Sequence, residues 1–258
     1  MPRFAANISM LFTQLPFLER IGAAKRAGFG AIECQFPYDH APEAIVAALK
    51  AAELPMVLHN LPGGNTLAGE RGLACLTNRV AEFRAGLDIA LHYAQILGVK
   101  ALNGLAGILP PGADPLQART VLIDNLTLAA RMMREAGITL VIEPLNNLDT
   151  PRFFLPTAAE ALAVMAAMPD AHARLQYDLY HGAMMGDDLH AVLADNIGKI
   201  GHIQIADHPG RHEPGTGMIP FKALLAQIDA LGYQGWVGCE YLPAASTLAG
   251  LGWMSAMR

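Results

Sequence analysis

Three carboxylates and one side-chain amide stand where short apolar runs of the chain come to an end. They are Glu143, Asp178, Gln204 and Glu240. If those runs are parallel strands of one closed sheet, their carboxyl ends meet at one mouth and the four side chains converge there. Like charges crowded together raise each other's pKa at an energetic cost that a divalent cation removes. Oxygen ligands favour Mg²⁺ or Mn²⁺, so the residues predict one divalent metal ion, with a purely structural carboxylate cluster as the alternative.

Four more polar residues end the remaining apolar runs, namely Asn7, Glu33, His59 and Asn103. Each has a structural explanation as well. The two amides can be satisfied core groups, Glu33 can pair with a neighbouring base, and a lone histidine is more often structural than catalytic. The residues two positions earlier in the runs are often apolar or small, and side chains alternate between the faces of a strand. The pattern predicts an apolar barrel interior capped by a polar ring.

The elements that position this ring alternate between short apolar runs and longer stretches of helical period. The predicted strands are 3–9, 31–36, 55–60, 100–105, 138–143, 174–179, 200–206 and 235–241, and the clearest helices are 17–29, 41–54 and 78–98. Several helices end at a glycine, as is typical of helix C-termini; these are Gly28, Gly98, Gly137 and Gly232. Eight such βα units predict a parallel (β/α)₈ TIM barrel. A doubly wound open sheet is the alternative, although no GxGxxG follows the first strand.

The composition is typical of one large globular unit, and we predict a single domain over residues 1–258. Hydrophobic residues make up 53% of the chain and charged residues 16%, which excludes the disordered class. The net charge of −5 comes without a basic patch, so no nucleic-acid partner is expected. No apolar run is long enough for a membrane span, and the first ten residues do not resemble a signal peptide. Three widely spaced cysteines favour a reducing cytoplasm.

Other active-site chemistries have weaker support. A Schiff-base aldolase needs a desolvated lysine at the active mouth, and the five lysines lie on helices, at strand starts or just before them. No GxSxG elbow is present, and no cysteine has a helix-start setting with a nearby base in sequence. The glycine-rich stretch EPGTG (213–217) lacks a Walker lysine, and we interpret it as a turn after the seventh strand.

Several longer motifs resemble one known family. The chain contains, in order, RFAANISMLF, FPYD, LHNLPGG…AGERG, IEPLN, QYDLYH, GHIQIAD…EPGTG and WVGCEY. These motifs resemble the hydroxypyruvate isomerase family of xylose-isomerase-like barrels, and the match extends from residue 3 to about residue 253. LHNLP, QYD.YH and GCEY are the most specific of them.

The resemblance implies a (β/α)₈ barrel with one divalent metal and two glutamates that serve as acid and base. The two glutamates correspond to Glu143 in IEPLN and Glu240 in GCEY. The implied metal ligands are these two residues together with Asp178 in QYDLYH and Gln204 in HIQIAD. This set agrees with the set expected from the strand ends.

The resemblance also implies residues that contact the substrate. His181 and Arg211 match positions that touch the substrate in related ketose epimerases, and His59 and the GERG loop with Arg71 are expected at the same mouth. The substrate carboxylate needs a cation, for which Arg211 is the first choice and Arg71 the second, with a solvated surface arginine as the alternative for each. Where relatives often have an acid and a tryptophan, this chain has Asn65 and Thr66, which bears on the preferred oxo acid.

The implied reaction interconverts hydroxypyruvate and tartronate semialdehyde (2-hydroxy-3-oxopropanoate) by proton transfer through an enediolate. An isomerase or epimerase of another small sugar acid or ketose, such as 2-oxo-tetronate, is the first alternative. A metal-dependent barrel endonuclease and a non-catalytic sugar-binding barrel are more remote. The positive mean hydropathy of +0.29 and twelve methionines also favour a homo-oligomer.

Overall fold

A computed structural model describes residues 2–169 and 172–256 of the chain. The strands are β1 (Arg3–Asn7), β2 (Ala31–Glu33), β3 (Leu58–Asn60), β4 (Ala101–Asn103), β5 (Thr139–Ile142), β6 (Ala173–Asp178), β7 (Ile200–Ile205) and β8 (Trp236–Cys239). The α-helices are α1 (Phe17–Arg26), α2 (Pro42–Ala52), α3 (Val80–Leu97), α4 (Pro115–Glu135), α5 (Ala158–Ala167), α6 (Leu179–Met184), α7 (Leu189–Asn196), α8 (Phe221–Ala230), α9 (Thr247–Gly250) and α10 (Gly252–Ala256). Short 3₁₀ helices span Thr66–Ala68 and Ile197–Lys199. None of the helices in the described ranges has the length and apolar character needed to cross a membrane.

The eight strands form one parallel sheet that closes on itself. The strand order is β2-β1-β8-β7-β6-β5-β4-β3, and every pair in it is parallel. The two ends of that order are joined where Ile32 of β2 forms a parallel bridge with Met56, two residues before β3. The backbone N–H of Val57 donates to the carbonyl of Ile32 at 2.8 Å beside this bridge. The predicted (β/α)₈ barrel is therefore confirmed, and the open-sheet alternative is wrong.

Local signals in the sequence start and end the helices. Asp114 accepts the N–H of Leu116 at the start of α4, and Thr157 forms a capping box with Glu160 at the start of α5. At the end of α3, Gly98 has a φ of 71°, a left-handed conformation that glycine adopts without steric cost. These residues fix where α4 and α5 begin and where α3 ends.

Several strands are shorter than predicted. The second run, 31–36, contains only Ala31–Glu33 as strand, and the last run, 235–241, contains only Trp236–Cys239. Of the residues that follow these two strands, Cys34, Glu240 and Tyr241 are buried, and the backbone N–H groups of Cys34 and Glu240 still donate to the neighbouring strands. The apolar pattern of the sequence indicates which residues are buried, and burial continues beyond the last residue of a strand. Glu143 and Glu240 are thus the first residues after β5 and β8.

A buried pair of side chains, Glu33 and His202, forms a hydrogen bond inside the barrel below the mouth. Nε2 of His202 lies 2.6 Å from Oε2 of Glu33, so the expectation that Glu33 pairs with a base is confirmed. Room for the Glu33 carboxylate comes from Gly238 on β8, because a Cβ at that position would lie 2.3 Å from Glu33 Oε2. The glycine two positions before Glu240 is therefore required by packing inside the barrel.

Candidate active site

Four buried side chains converge at the mouth. Glu143, Asp178, His181 and Glu240 each offer an atom that lies within 4.8 Å of the atoms offered by the others. They come from the loop after β5, the end of β6, the helix α6 and the loop after β8. The structure thus brings together three of the four predicted metal ligands and adds His181, which was predicted to bind substrate.

Amide groups and one guanidinium hold the Glu240 carboxylate. Its Oε1 accepts hydrogen bonds from Asn7 Nδ2 at 2.9 Å and Gln35 Nε2 at 3.1 Å. Its Oε2 accepts from Arg211 Nη2 at 2.8 Å. A carboxylate with donors on both oxygens is held in one orientation, so the side chain of Glu240 is fixed relative to the rest of the cluster.

Glu143 and Asp178 each keep one oxygen without a partner. Glu143 Oε2 accepts from Asn103 Nδ2 at 2.6 Å, and Asp178 Oδ1 accepts from the backbone N–H of Tyr180 at 2.8 Å. The other oxygens, Glu143 Oε1 and Asp178 Oδ2, are buried and have no hydrogen-bond partner among the described residues. Buried polar atoms without partners in a native structure call for an explanation such as a bound ion. Two buried carboxylate oxygens of this kind fit a hard divalent cation.

Burial and mutual repulsion raise the pKa of the three carboxyl groups. The pKa of Glu143 lies well above its usual value because the group is buried and because Glu240 and Asp178 are close. Burial raises the pKa of Asp178 to about 7, although Arg211 opposes the rise. The pKa of Glu240 is also raised by burial, again against Arg211. The cluster therefore disfavours three negative charges, which a cation of charge +2 would stabilise.

Gln204 lies beside the cluster with its amide already engaged. Its Nε2 donates to Glu33 Oε1 at 2.7 Å, and its Oε1 accepts from Gln176 Nε2 at 2.6 Å. A carbonyl oxygen has a second lone pair, so this oxygen retains one position for a ligand. The role of Gln204 as a metal ligand stays a prediction.

The hydrogen bonds of His181 fix which ring nitrogen carries the proton. The backbone N–H of Asn146 donates to His181 Nδ1 at 3.2 Å, and a backbone N–H can only donate. A neutral ring that accepts at Nδ1 carries its hydrogen on Nε2, which lies 3.7 Å from Asp178 Oδ2 and 3.4 Å from Arg211 Nη2, a second donor that does not bond to Nε2 in this tautomer. Burial and the nearby Arg211 lower the pKa of His181 well below its usual value, which keeps the ring neutral. An Nε2–H group is a hydrogen-bond donor, so His181 suits a substrate oxygen better than a metal ion.

His59 lies on β3 with the opposite tautomer. Its Nδ1 donates to the carbonyl oxygen of Asn60 at 3.1 Å, and its Nε2 is buried without a partner among the described residues. Burial lowers the pKa of His59 to about 4, so the ring is neutral at physiological pH. Its free Nε2 is an acceptor, which suits a substrate hydroxyl group.

The two arginines predicted to bind the substrate carboxylate have different surroundings. Arg211 lies in the cluster, stacks over the ring of Tyr180 at 5.1 Å, and has a buried Nε without a partner among the described residues. Arg71 instead donates from Nη1 to the carbonyl oxygens of Thr66 and Glu70 in its own loop. The structure therefore places Arg211, and not Arg71, next to the carboxylates.

Three residues of the site were not predicted from the sequence. Gln35 donates to Glu240, Asn146 fixes the tautomer of His181, and Tyr180 lies under the Arg211 guanidinium. Gln35 and Asn146 stand within three residues of predicted ring members, Glu33 and Glu143, so proximity along the chain was a usable signal. For Tyr180 the signal was its position within the QYDLYH motif.

Comparison with known proteins places the chain in a family. The family model described as xylose isomerase-like TIM barrel matches residues 21–257. Hydroxypyruvate isomerase of Escherichia coli is 43% identical over 258 residues and covers all of both chains. A 2-oxo-tetronate isomerase of Cupriavidus necator is 42% identical over 98% of both chains. A solved structure described as AP endonuclease, family 2, from Brucella melitensis has a TM-score of 0.96 and 41% identity over the full length of both chains.

The chain belongs to the xylose isomerase-like TIM-barrel family. The resemblance predicted from the motifs is therefore confirmed. The prediction that the chain is an isomerase is also confirmed, because the curated relatives that match it over its full length are isomerases.

Proposed function

We propose that this protein is a metal-dependent isomerase that interconverts hydroxypyruvate and tartronate semialdehyde. The observation that supports this proposal most directly is the cluster of Glu143, Asp178 and Glu240, with two buried oxygens that have no hydrogen-bond partner among the described residues. The similarity to hydroxypyruvate isomerase of Escherichia coli agrees with it. Isomerisation of 2-oxo-tetronate is the second candidate, because a 2-oxo-tetronate isomerase is almost equally similar.

The residues of the cluster suit a proton transfer between two adjacent carbons. One of Glu143 and Glu240 removes a proton from a C–H group, and the other delivers a proton at the neighbouring carbon. The pKa of each carboxyl group is raised towards the operating pH, which favours both the acid and the base role. His181 donates its Nε2–H to a substrate oxygen on which negative charge develops.

Glu143, Asp178 and Glu240, with Gln204 as the fourth ligand, would hold one divalent cation. When bound, Mg²⁺ or Mn²⁺ would supply Lewis-acid stabilisation of the negative charge on the substrate oxygens. The hard oxygen donors favour these two ions. Arg211 stays beside the site, where its free Nε can donate to the substrate carboxylate.

The endonuclease alternative has less support. The similar structure from Brucella melitensis carries that description. However, the part of the chain that the structure describes contains a single group of candidate metal ligands, with three carboxylates and one histidine. A net charge of −5 also gives little attraction for a phosphodiester backbone. We therefore do not propose nuclease activity.

A direct comparison of two substrates tests the proposed function. The metal-free protein is reconstituted with Mg²⁺ or Mn²⁺, and kcat/KM is measured for hydroxypyruvate and for 2-oxo-tetronate. The proposal expects the larger value for hydroxypyruvate and loss of activity with a chelator. A larger value for 2-oxo-tetronate would replace the first candidate by the second, and full activity after complete metal removal would contradict the metal-dependent mechanism.

Replacement of Arg211 by alanine is expected to raise KM for the oxo acid about 10- to 100-fold. Hydrogen bonds to charged groups are worth roughly 1.5–3 kcal/mol, which corresponds to that range. Arg71→Ala is the matched control, because that guanidinium bonds to carbonyl groups of its own loop. Steady-state kinetics on both variants would contradict this assignment if Arg71→Ala had the larger effect on KM.

A further inference from the structure

A cavity lies at the opposite end of the barrel from the carboxylate cluster. Its volume is about 650 Å³, within the size range of small-molecule sites. It is bounded by the N-terminal ends of strands β4 to β8, where Lys100, Thr139, Arg174, His202 and Trp236 line it. None of the four clustered mouth residues contributes to its wall. We call it the floor cavity.

The wall of the floor cavity combines apolar surface with positive charge. Met56, Val57 and the rings of Tyr233 and Trp236 provide the apolar part. Lys100 and Arg174 provide two cations, and no aspartate or glutamate among the described residues lines the cavity. In a chain with a net charge of −5, a cavity with two lysine or arginine side chains and no lining carboxylate is a local reversal of charge. Such a lining is complementary to an anion with an apolar body.

Glycines keep the floor cavity open. Gly98, Gly198, Gly201, Gly232 and Gly235 line it. A Cβ at Gly201 would come within 2.8 Å of Arg174 Cβ, so a side chain there would displace the arginine. The arginine itself is anchored, because Arg174 Nη1 donates to the carbonyl oxygen of Gly198 at 2.6 Å. One cation of the cavity is therefore held against the wall.

We propose that the floor cavity is a binding site for a small organic anion with a planar apolar ring. The ring would pack between the aromatic and aliphatic side chains, and the anionic group would pair with Arg174 and Lys100. This site is separate from the proposed active site, and its occupancy does not depend on the proposed isomerase activity.

A fluorescence titration with 1-anilinonaphthalene-8-sulfonate tests the proposal. This dye combines a planar naphthalene ring, which carries an anilino group, with one sulfonate, and its emission rises in an apolar environment. We expect saturable binding of one dye per chain, both with and without divalent metal. Inorganic phosphate should displace the dye only at much higher concentration, because phosphate leaves the rings uncovered. Equal potency of phosphate would overturn the proposed ligand class.

Two variants test whether the dye binds in the floor cavity. Gly198→Leu should weaken binding, since Gly198 lines the cavity, has an ordinary φ, and a Cβ there would meet no atom within 4 Å. Arg174→Gln combined with Lys100→Gln should weaken binding at least tenfold. Arg131→Gln with Lys222→Gln is the matched control, because both residues lie exposed on outer helices and remove the same charge.

Three results would overturn the proposal. The first is wild-type dye affinity in both Gly198→Leu and the Arg174/Lys100 variant, with melting temperatures that show both to be folded. The second is an equal loss in the Arg131/Lys222 control, which would indicate general charge attraction. The third is an affinity that falls as protein concentration rises, because a second copy of the chain would then cover this face.

Discussion

Replacement of Glu240 by glutamine is expected to lower kcat by at least 100-fold with the barrel intact. General acid–base help is typically worth about 10²–10⁴-fold in rate, and glutamine cannot accept or release the proton. The substitution preserves size, and its amide oxygen can keep the hydrogen bonds from Asn7 and Gln35. The new NH₂ group would then face Arg211, where a donor meets a donor, so a further loss through substrate binding is expected. Steady-state kinetics with hydroxypyruvate measures the effect.

The matched control for this prediction is Glu213→Gln. Glu213 is also buried, in the loop after β7, but its Oε2 accepts only the backbone N–H of Ala244 among the bonds described, and it lies outside the carboxylate cluster. This variant should retain near-normal kcat. Near-normal turnover of Glu240→Gln, with normal melting temperature and metal content, would contradict an acid–base role for Glu240.

Deuterium exchange separates the roles of the two glutamates. In D₂O the wild-type enzyme should exchange the C3 hydrogen of hydroxypyruvate while it isomerises the substrate. If Glu143 removes that hydrogen and Glu240 delivers a proton at the neighbouring carbon, Glu240→Gln keeps exchange and loses isomerisation, while Glu143→Gln loses both. The reverse assignment reverses this result, and proton NMR without enzyme provides the background rate.

The sequence predicted the barrel because residue type reports burial. Apolar runs that alternate with helical stretches require a sheet covered by helices, and eight of them fill one barrel. The same property misplaced strand ends, since Glu240 and Tyr241 are buried yet follow Cys239, the last residue of β8. Closure between Ile32 and Met56 depends on how all eight strands tilt together, which no local pattern contains.

The carboxylates of the site were predictable, and their supporting groups were not. A charged residue directly after an apolar run, such as Glu143, is conspicuous because burial of a charge needs compensation. Gln35 supports Glu240 across 205 positions of sequence, so its partner depends on barrel geometry. The sequence also does not show in which direction a long flexible side chain points. Arg211 points to Glu240, whereas Arg71 bonds to a carbonyl oxygen of its own loop.

Some predictions concern properties outside a single chain. The oxo-acid substrate, a homo-oligomer, the absence of a nucleic-acid partner and a cytoplasmic location all stay predictions. So do the single-domain bounds of 1–258 and the identity of the metal ion. Composition and charge motivate most of them, but each depends on partners or surroundings that the fold of one chain does not determine.

The metal-free protein is expected to lose stability as the pH rises from about 5 to 8. Burial raises the pKa of Asp178 to about 7 from an ordinary value of 3.8, and the pKa values of Glu143 and Glu240 are raised in the same direction. Between the unfolded and folded pKa values, the folded state holds protons that the unfolded state has released. Raising the pH therefore favours unfolding in this window, and each carboxyl group lowers the free energy of unfolding by at most about 1.4 kcal/mol for a tenfold fall in proton concentration. Thermal denaturation in the presence of a chelator, followed across this pH range, measures the slope.

Asp178→Asn should reduce this pH dependence and raise the melting temperature of the metal-free protein at pH 8. Asparagine is neutral at every pH in the range, and its side-chain oxygen can still accept the N–H of Tyr180. The same variant should lose most of the stabilisation by Mn²⁺. In the wild type this stabilisation amounts to about 2.7 kcal/mol when the Mn²⁺ concentration is 100 times the Kd. Asp195→Asn, an exposed residue on α7, is the control and should behave as the wild type in both measurements. A wild-type stability that rises with pH in chelator would contradict the raised pKa of the cluster. An unchanged Mn²⁺ response in Asp178→Asn would show that this carboxylate does not bind the ion.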